Sequence, residues 1–181
     1  MEDNANYKKA VDILSTRSIL KESFSVNEIE LFVKQTNFQR YKKKVKIISK
    51  HEPAISIICL IVGEASVIAM EHKLRTLSLF RISSYNRDRC LNLCFDCYMS
   101  NDYQLRILKG GDIFGESMFS DKGIRTADVI ASTDASVVIF TVEDYERLAK
   151  ISPSIARKYK LFFETMNITL KVLESLRNEC G

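Results

Sequence analysis

The spacing of apolar residues in this chain changes from helical to alternating near Phe38 and returns to helical near Thr141. That double change limits the folds open to it. Before Phe38, Ala10, Ile13, Leu14 and Leu20 lie among lysines, and Ser25-Val26-Asn27-Glu28 has the serine-then-glutamate spacing of a helix start. Two short helices are expected, the second carrying Ile29, Leu31, Phe32 and Val33 and ending near Thr36-Asn37. From Phe38, Tyr41, Val45 and Ile47, then Ile55, Ile57, Cys59 and Ile61, alternate around a His51-Glu52-Pro53-Ala54 interruption, which reads as strand, turn, strand. Ala65 to Met70, Gln104 to Leu108, Ala127 to Ala131 and Ser136 to Phe140 add further short strands. Many short strands with turns between them predict a β-sandwich or barrel.

Beyond Phe140, Thr141-Val142-Glu143-Asp144 opens a helix and Ser152-Pro153 punctuates it. A longer helix is expected from Ser154 to Asn178, with Ile155, Tyr159, Phe162, Met166, Leu170, Leu173 and Leu176 forming one apolar stripe. Packing of that stripe on the β portion is favoured over self-association, because such a stripe is more often core than seam. The expected organisation is one domain in three parts: a helical segment over 1–37, the β portion over 38–153 and a C-terminal helix over 154–181. Residues 71–103 separate two strands by far more than a hairpin loop, and their apolar content predicts an inserted hairpin.

Length and composition agree with one folded domain: 181 residues, 46% apolar and 28% charged. With 27 basic and 23 acidic residues the formal charge is +4, too small an excess to argue nucleic-acid binding. The longest uncharged apolar run, Ala54 to Gly63, falls far short of a bilayer span, and the N-terminus lacks a signal-peptide core. A cytoplasmic protein without membrane insertion is expected. Its five cysteines are an odd number and are expected to be reduced thiols.

The stretch GDIFGESMFSDKGIRTADV, residues 111–129, carries the chemistry. A glycine lets backbone approach a ligand closely, and peptide N–H groups at a helix start favour anions. Phe114-Gly115-Glu116-Ser117-Met118 sits where a strand hands over to such a short helix, and Arg125 adds a forked donor suited to phosphate oxygens. A carboxylate at Glu116 would repel phosphate unless it accepts a hydrogen bond from a sugar hydroxyl of the same ligand. A 3′,5′-cyclic nucleotide holds those two groups together in one rigid body.

These residues resemble the phosphate-binding cassette of the cyclic nucleotide-binding domain family, found in protein kinase A regulatory subunits, cyclic-GMP-dependent kinases, nucleotide-gated channels and the bacterial catabolite activator. The family pattern of Phe-Gly-Glu followed by Arg and Ala or Thr stands here as Phe114-Gly115-Glu116 and Arg125-Thr126-Ala127. The resemblance implies that Glu116 binds the ribose 2′-hydroxyl, Arg125 the cyclic phosphate, and the amides of Gly115, Ser117 and Met118 the phosphate and sugar region. It extends over about residues 25 to 175, broken by the insert, with Gly63 at the family's strand-turning glycine. The fold it implies is mainly β with flanking helices: a jelly-roll β-roll with N-terminal helices and a long C-terminal helix. Two turn glycines common in the family are Lys44 and His51 here. Thr126 leans toward cyclic GMP, since a hydroxyl there can bond the guanine 2-amino group, while cyclic AMP stays open. The function implied is a non-enzymatic cyclic-nucleotide sensor that binds no other cofactor and signals through its C-terminal helix to a protein partner or effector subunit. The alternative is a protein-interaction module that keeps the fold without using the pocket.

Other signals are weaker. Cys90, Cys94 and Cys97 have the C-x3-C-x2-C spacing of the radical S-adenosylmethionine cluster motif, but no α/β barrel accompanies them. As a zinc site they would need a fourth ligand, with His72 the nearest histidine, and buried thiols in an apolar segment are the expected reading. Lys42-Lys43-Lys44-Val45-Lys46 reads as a solvated strand edge rather than a nucleic-acid contact. With only His51 and His72 and no Gly-x-Ser-x-Gly or phosphate loop, hydrolytic machinery is not in evidence.

Overall fold

The computed structural model describes residues 2–70, 102–119 and 123–179. Helix α1 (Glu2–Thr16) leads into a 3-10 turn (Ile19–Glu22) and helix α2 (Val26–Val33). Ser18 starts the 3-10 turn by accepting a bond from the Leu20 amide at 3.2 Å. The Ser25-Glu28 pattern is realised as a reciprocal cap: the Ser25 amide donates to Glu28 Oε2 at 2.8 Å, and Ser25 Oγ accepts from the Glu28 amide at 3.4 Å. Helix α2 stops at Val33, short of the expected Thr36-Asn37, because the Gln35 and Thr36 amides reach back only three residues, to Phe32 and Val33.

Among the described residues eight strands follow: β1 (Asn37–Tyr41), β2 (Lys46–Ile48), β3 (Ser56–Val62), β4 (Glu64–Met70), β5 (Asp102–Lys109), β6 (Ile113–Phe114), β7 (Asp128–Ala131) and β8 (Ala135–Thr141). They form two antiparallel four-stranded sheets, ordered β1-β8-β3-β6 and β2-β7-β4-β5. The strand expected from Phe38 through Ile47 is therefore two strands in different sheets. Asp134 makes the break by accepting Lys42 Nζ at 2.8 Å and the Lys43 amide at 2.9 Å. Lys44 then turns the chain with a φ of 71°, and its amide donates to Ala131 O at 2.7 Å. The lysines of this turn are exposed, as the sequence implied.

Helix α3 (Val142–Ile151) starts at a second reciprocal cap, Thr141 with Asp144, and Arg147 pairs with the buried Asp144. Pro153 opens helix α4 (Pro153–Glu179), where its missing N–H costs nothing.

Strand β3 is shared by the two halves of the core. Its residues Ile57, Cys59 and Ile61 join Val138 and Phe140 against the helices, while Ile58 and Leu60 face the second sheet with Ala65, Leu108, Val129 and Ala131. Buried on both faces, the strand is an uninterrupted apolar run rather than an alternating one. The helical layer is aromatic: Tyr159 stacks on Phe24 at 3.9 Å between ring centroids and lies 4.7 Å from Phe32, which meets Phe140 at 4.5 Å. Tyr159 Oη, otherwise a buried orphan, donates to Glu28 O at 3.2 Å. Ile155, Phe162 and Met166 pack on the same core, so this part of the α4 stripe is core. Leu170, Leu173 and Leu176 lie where side chains are not described, and the expected inserted hairpin, with Cys90, Cys94, Cys97 and His72, lies outside the described residues.

Candidate functional site

The site is assembled at the turn that carries β5 into β6. Asp112 holds that turn, accepting the Lys109 amide and Arg106 Nη2, each at 2.8 Å. Gly111 crosses it with a φ of +103°, where a Cβ would lie 2.8 Å from the Arg17 Cβ. Strand β6 pairs with β3, Phe114 opposite Ile58 and Ile113 opposite Cys59, and the chain then reverses at Gly115.

Gly115 is required twice over. Its φ is +85°, and an added Cβ would sit 2.5 Å from Arg125 Nη1 and 2.9 Å from Ser56 O. One 3-10 turn follows (Glu116–Phe119), in which the Met118 amide donates to Gly115 O at 3.2 Å. Met118 and Phe119 pack against the helical core, and the Phe119 ring stacks on Phe163 of α4 at 6.0 Å.

Arg125 is pinned at backbone and side chain. Its amide donates to Glu52 O at 2.9 Å and its carbonyl accepts from the His51 amide at 3.0 Å, a pairing that relies on His51 holding a φ of 71°. Its guanidinium donates from Nη1 to Gly115 O at 2.9 Å, and from Nη2 to Ser56 O at 2.6 Å and Ser56 Oγ at 2.9 Å. Arg125 is only 6% exposed. Burial lowers its pKa, while the carboxylates of Glu116 and Glu52 raise it. An arginine so placed keeps its charge, and that charge is offset by neighbouring carboxylates and main-chain oxygens.

These elements wall one cavity of about 1110 Å³. Of the residues singled out in the sequence, Phe114, Gly115, Glu116, Ser117, Arg125, Thr126 and Ala127 line it. Met118 does not; its side chain belongs to the helical core. Ile48, Val67, Leu108 and Val129, all from the second sheet, supply an apolar floor. Phe24, Lys158, Leu161, Phe162 and Met166 close the helical side. Lys158 Nζ is itself held, bonded to Glu28 at 2.8 Å and 4.8 Å above the Phe24 ring. The mix of apolar wall with a few polar groups is that of a small-molecule site, in a cavity slightly roomier than most.

Ser56, Arg106 with Asp112, and the Lys158 and Phe162 face were not found from the sequence. Ser56 and Lys158 reach the site through contacts of high sequence separation, and neither sits in a recognisable local motif. Among the described residues no group of acidic, histidine or cysteine side chains has the arrangement of a metal site, and no helix is long and apolar enough to cross a membrane.

The architecture is that of cyclic nucleotide-binding domains. A cyclic nucleotide-binding domain from Methylobacillus flagellatus matches 96% of this chain with 82% of its own length, at a TM-score of 0.66 and 15% identity. The c-di-GMP responsive global regulator CLP of Xanthomonas campestris matches 86% of the chain at a TM-score of 0.58 and 17% identity, and cAMP-bound PfPKA-R matches 78% at 0.55 and 18%. This chain spans 63% of the former and 41% of the latter. At such identities the likeness is one of fold: two antiparallel sheets rolled together, with helices before and after. No family model and no curated protein matches the sequence.

Proposed function

We propose that the chain is a non-enzymatic regulatory module that binds a 3′,5′-cyclic mononucleotide in the cavity between the β-roll and α4. The observation that carries this reading is the convergence of Gly115, Glu116, Ser117, Arg125, Thr126 and Ala127 on one cavity wall. In it, Arg125 takes the cyclic phosphate, Glu116 the ribose 2′-hydroxyl, and the amides of Gly115, Ser117 and Met118 the phosphate and sugar region. Thr126, on the same wall, favours the guanine 2-amino group and hence cyclic GMP over cyclic AMP. One hydrogen bond of that kind gives up to about tenfold discrimination.

The output runs through α4. The cassette's 3-10 turn touches this helix through Phe119 and Phe163, and Leu161 and Phe162 face the cavity. A ligand that meets both the cassette and α4 binds unequally to states that differ in α4 position, which is the requirement for a switch. The responding element is a partner protein or a neighbouring subunit.

One observation favours a second reading, a protein-interaction module that keeps the fold but does not use the pocket. The Arg125 guanidinium already clips Ser56 to Gly115, a structural role sufficient by itself. Calorimetric titration with cyclic GMP and cyclic AMP separates the two readings, with Arg125→Ala and Glu116→Ala as controls. Saturable binding weakened by both substitutions supports the sensor; absence of heat and of thermal stabilisation with either nucleotide overturns it.

A further inference from the structure

We propose that Ser56 is a positioning residue, which sets the plane of the Arg125 guanidinium so that it favours one of the two exocyclic oxygens of the bound phosphate. This rests on the cyclic-nucleotide reading above. Ser56 does not line the cavity; it acts from behind the wall, through Arg125. Both of its oxygens accept from one nitrogen, Nη2, at 2.6 Å for the carbonyl and 2.9 Å for the hydroxyl. Gly115 O accepts from Nη1 at 2.9 Å.

A guanidinium held by one acceptor on each nitrogen can still rock about the line joining them. A second acceptor on Nη2, offset from the first, removes that freedom. The support is itself rigid: Ser56 is paired with Thr141 in the β3–β8 ladder and is 8% exposed, and its neighbour Ile57 is fully buried. On the other side, the bare Cα of Gly115 lets the guanidinium lie against the backbone, with no room for a methyl group between them. The three bonds use at most three of the five N–H donors of the side chain. The direction in which the others point is therefore fixed by Ser56 and Gly115 before any ligand arrives, the kind of preorganisation that raises affinity without a new contact.

The two exocyclic oxygens of a cyclic phosphate are not equivalent, so a guanidinium fixed in one plane discriminates between them. Sulfur is a poor acceptor in place of oxygen. The two phosphorothioate diastereomers of the cyclic nucleotide, Sp and Rp, thus read out the orientation of Arg125, which a merely structural role for Ser56 would leave unchanged. The test measures Kd for the parent nucleotide and both phosphorothioates with the wild-type chain, Ser56→Ala and Ser56→Thr, beside their ligand-free unfolding midpoints. Ser56→Ala is expected to weaken the parent nucleotide by about two- to tenfold, the cost of having the ligand order a side chain that the free protein no longer holds. It is also expected to narrow the Sp/Rp ratio, with Ser56→Thr restoring both. A Ser56→Ala variant with wild-type affinity and an unchanged Sp/Rp ratio overturns the assignment while leaving the binding site intact, as does weakening that tracks stability alone. A wild-type chain that binds no cyclic nucleotide overturns the site and, with it, the role given to Ser56.

Discussion

Lys44 and His51 each hold a φ of 71°, in the left-handed region where a Cβ crowds the carbonyl that follows. Both amides are committed to that geometry, Lys44 to Ala131 O at 2.7 Å and His51 to Arg125 O at 3.0 Å, so neither turn can relax without losing a bond. A side chain in this conformation costs about 1–2 kcal/mol. Glycine removes the cost but returns about 0.5–1 kcal/mol through the greater freedom of the unfolded chain. Lys44→Gly and His51→Gly should therefore each stabilise the fold by about 0.5–1 kcal/mol. The two turns make separate contacts, so the double variant should gain the sum. With a urea m-value on the order of 2 kcal/mol/M, each change moves the midpoint up by about 0.25–0.5 M at constant slope. Lys44→Ala separates charge from backbone, because it removes the ammonium group and keeps the Cβ, and it should leave the midpoint near wild type. His51→Val, a β-branched residue in the same conformation, should lower it. Glycine variants whose midpoints match or fall below wild type would refute the strain argument, whatever the alanine control does.

Gly115→Ala should behave in the opposite sense: a methyl group 2.5 Å from Arg125 Nη1 displaces the guanidinium, lowering the urea midpoint and abolishing nucleotide binding in the same titration. If Glu116 takes the ribose hydroxyl, removing the 2′-hydroxyl from the nucleotide should weaken binding to the wild type by about tenfold or more and scarcely affect Glu116→Ala. Equal losses in both proteins would exclude that pairing. Glu28 has its pKa drawn below 4.5, first by the Lys158 hydrogen bond and then by the Ser25 amide. Since the folded chain binds this proton less readily than the unfolded one, its contribution is complete above 4.5 and is lost as pH falls through the lower folded value. Glu28→Gln should accordingly flatten the loss of stability that sets in as pH falls below 4.5, measured as urea midpoints.

The parts of this structure that were legible in the sequence are those whose cause is local. The caps at Ser25 with Glu28 and Thr141 with Asp144 are each closed within four residues, and both appear as read. The hand-over from a strand to a short helix at Phe114-Gly115-Glu116 was legible for the same reason. The break between β1 and β2 was not legible in the residues themselves, because a lysine at the turn does not announce a left-handed φ; only the family resemblance marked Lys44 as a turn position. Ser56 was invisible for a different reason. Its partner is 69 residues away, and a serine at the head of an apolar strand looks like the end of a turn until the fold brings Arg125 across it. The helical side of the cavity depends on α4 folding back on Phe24, a tertiary choice that the amphipathic stripe permits without dictating.

Strand β3 also governs how this protein fails. Ile57 to Val62 is an apolar, uncharged, proline-free segment, the composition that pairs with copies of itself when exposed. In the native roll it is flanked by β8 and β6 and buried from Ile57 to Ile61, so nothing outside can add to it. Heat exposes it all at once, at a temperature where association is fast. A thermal scan of this chain therefore measures a rate of irreversible loss, and its apparent midpoint should climb with scan speed and fall with protein concentration.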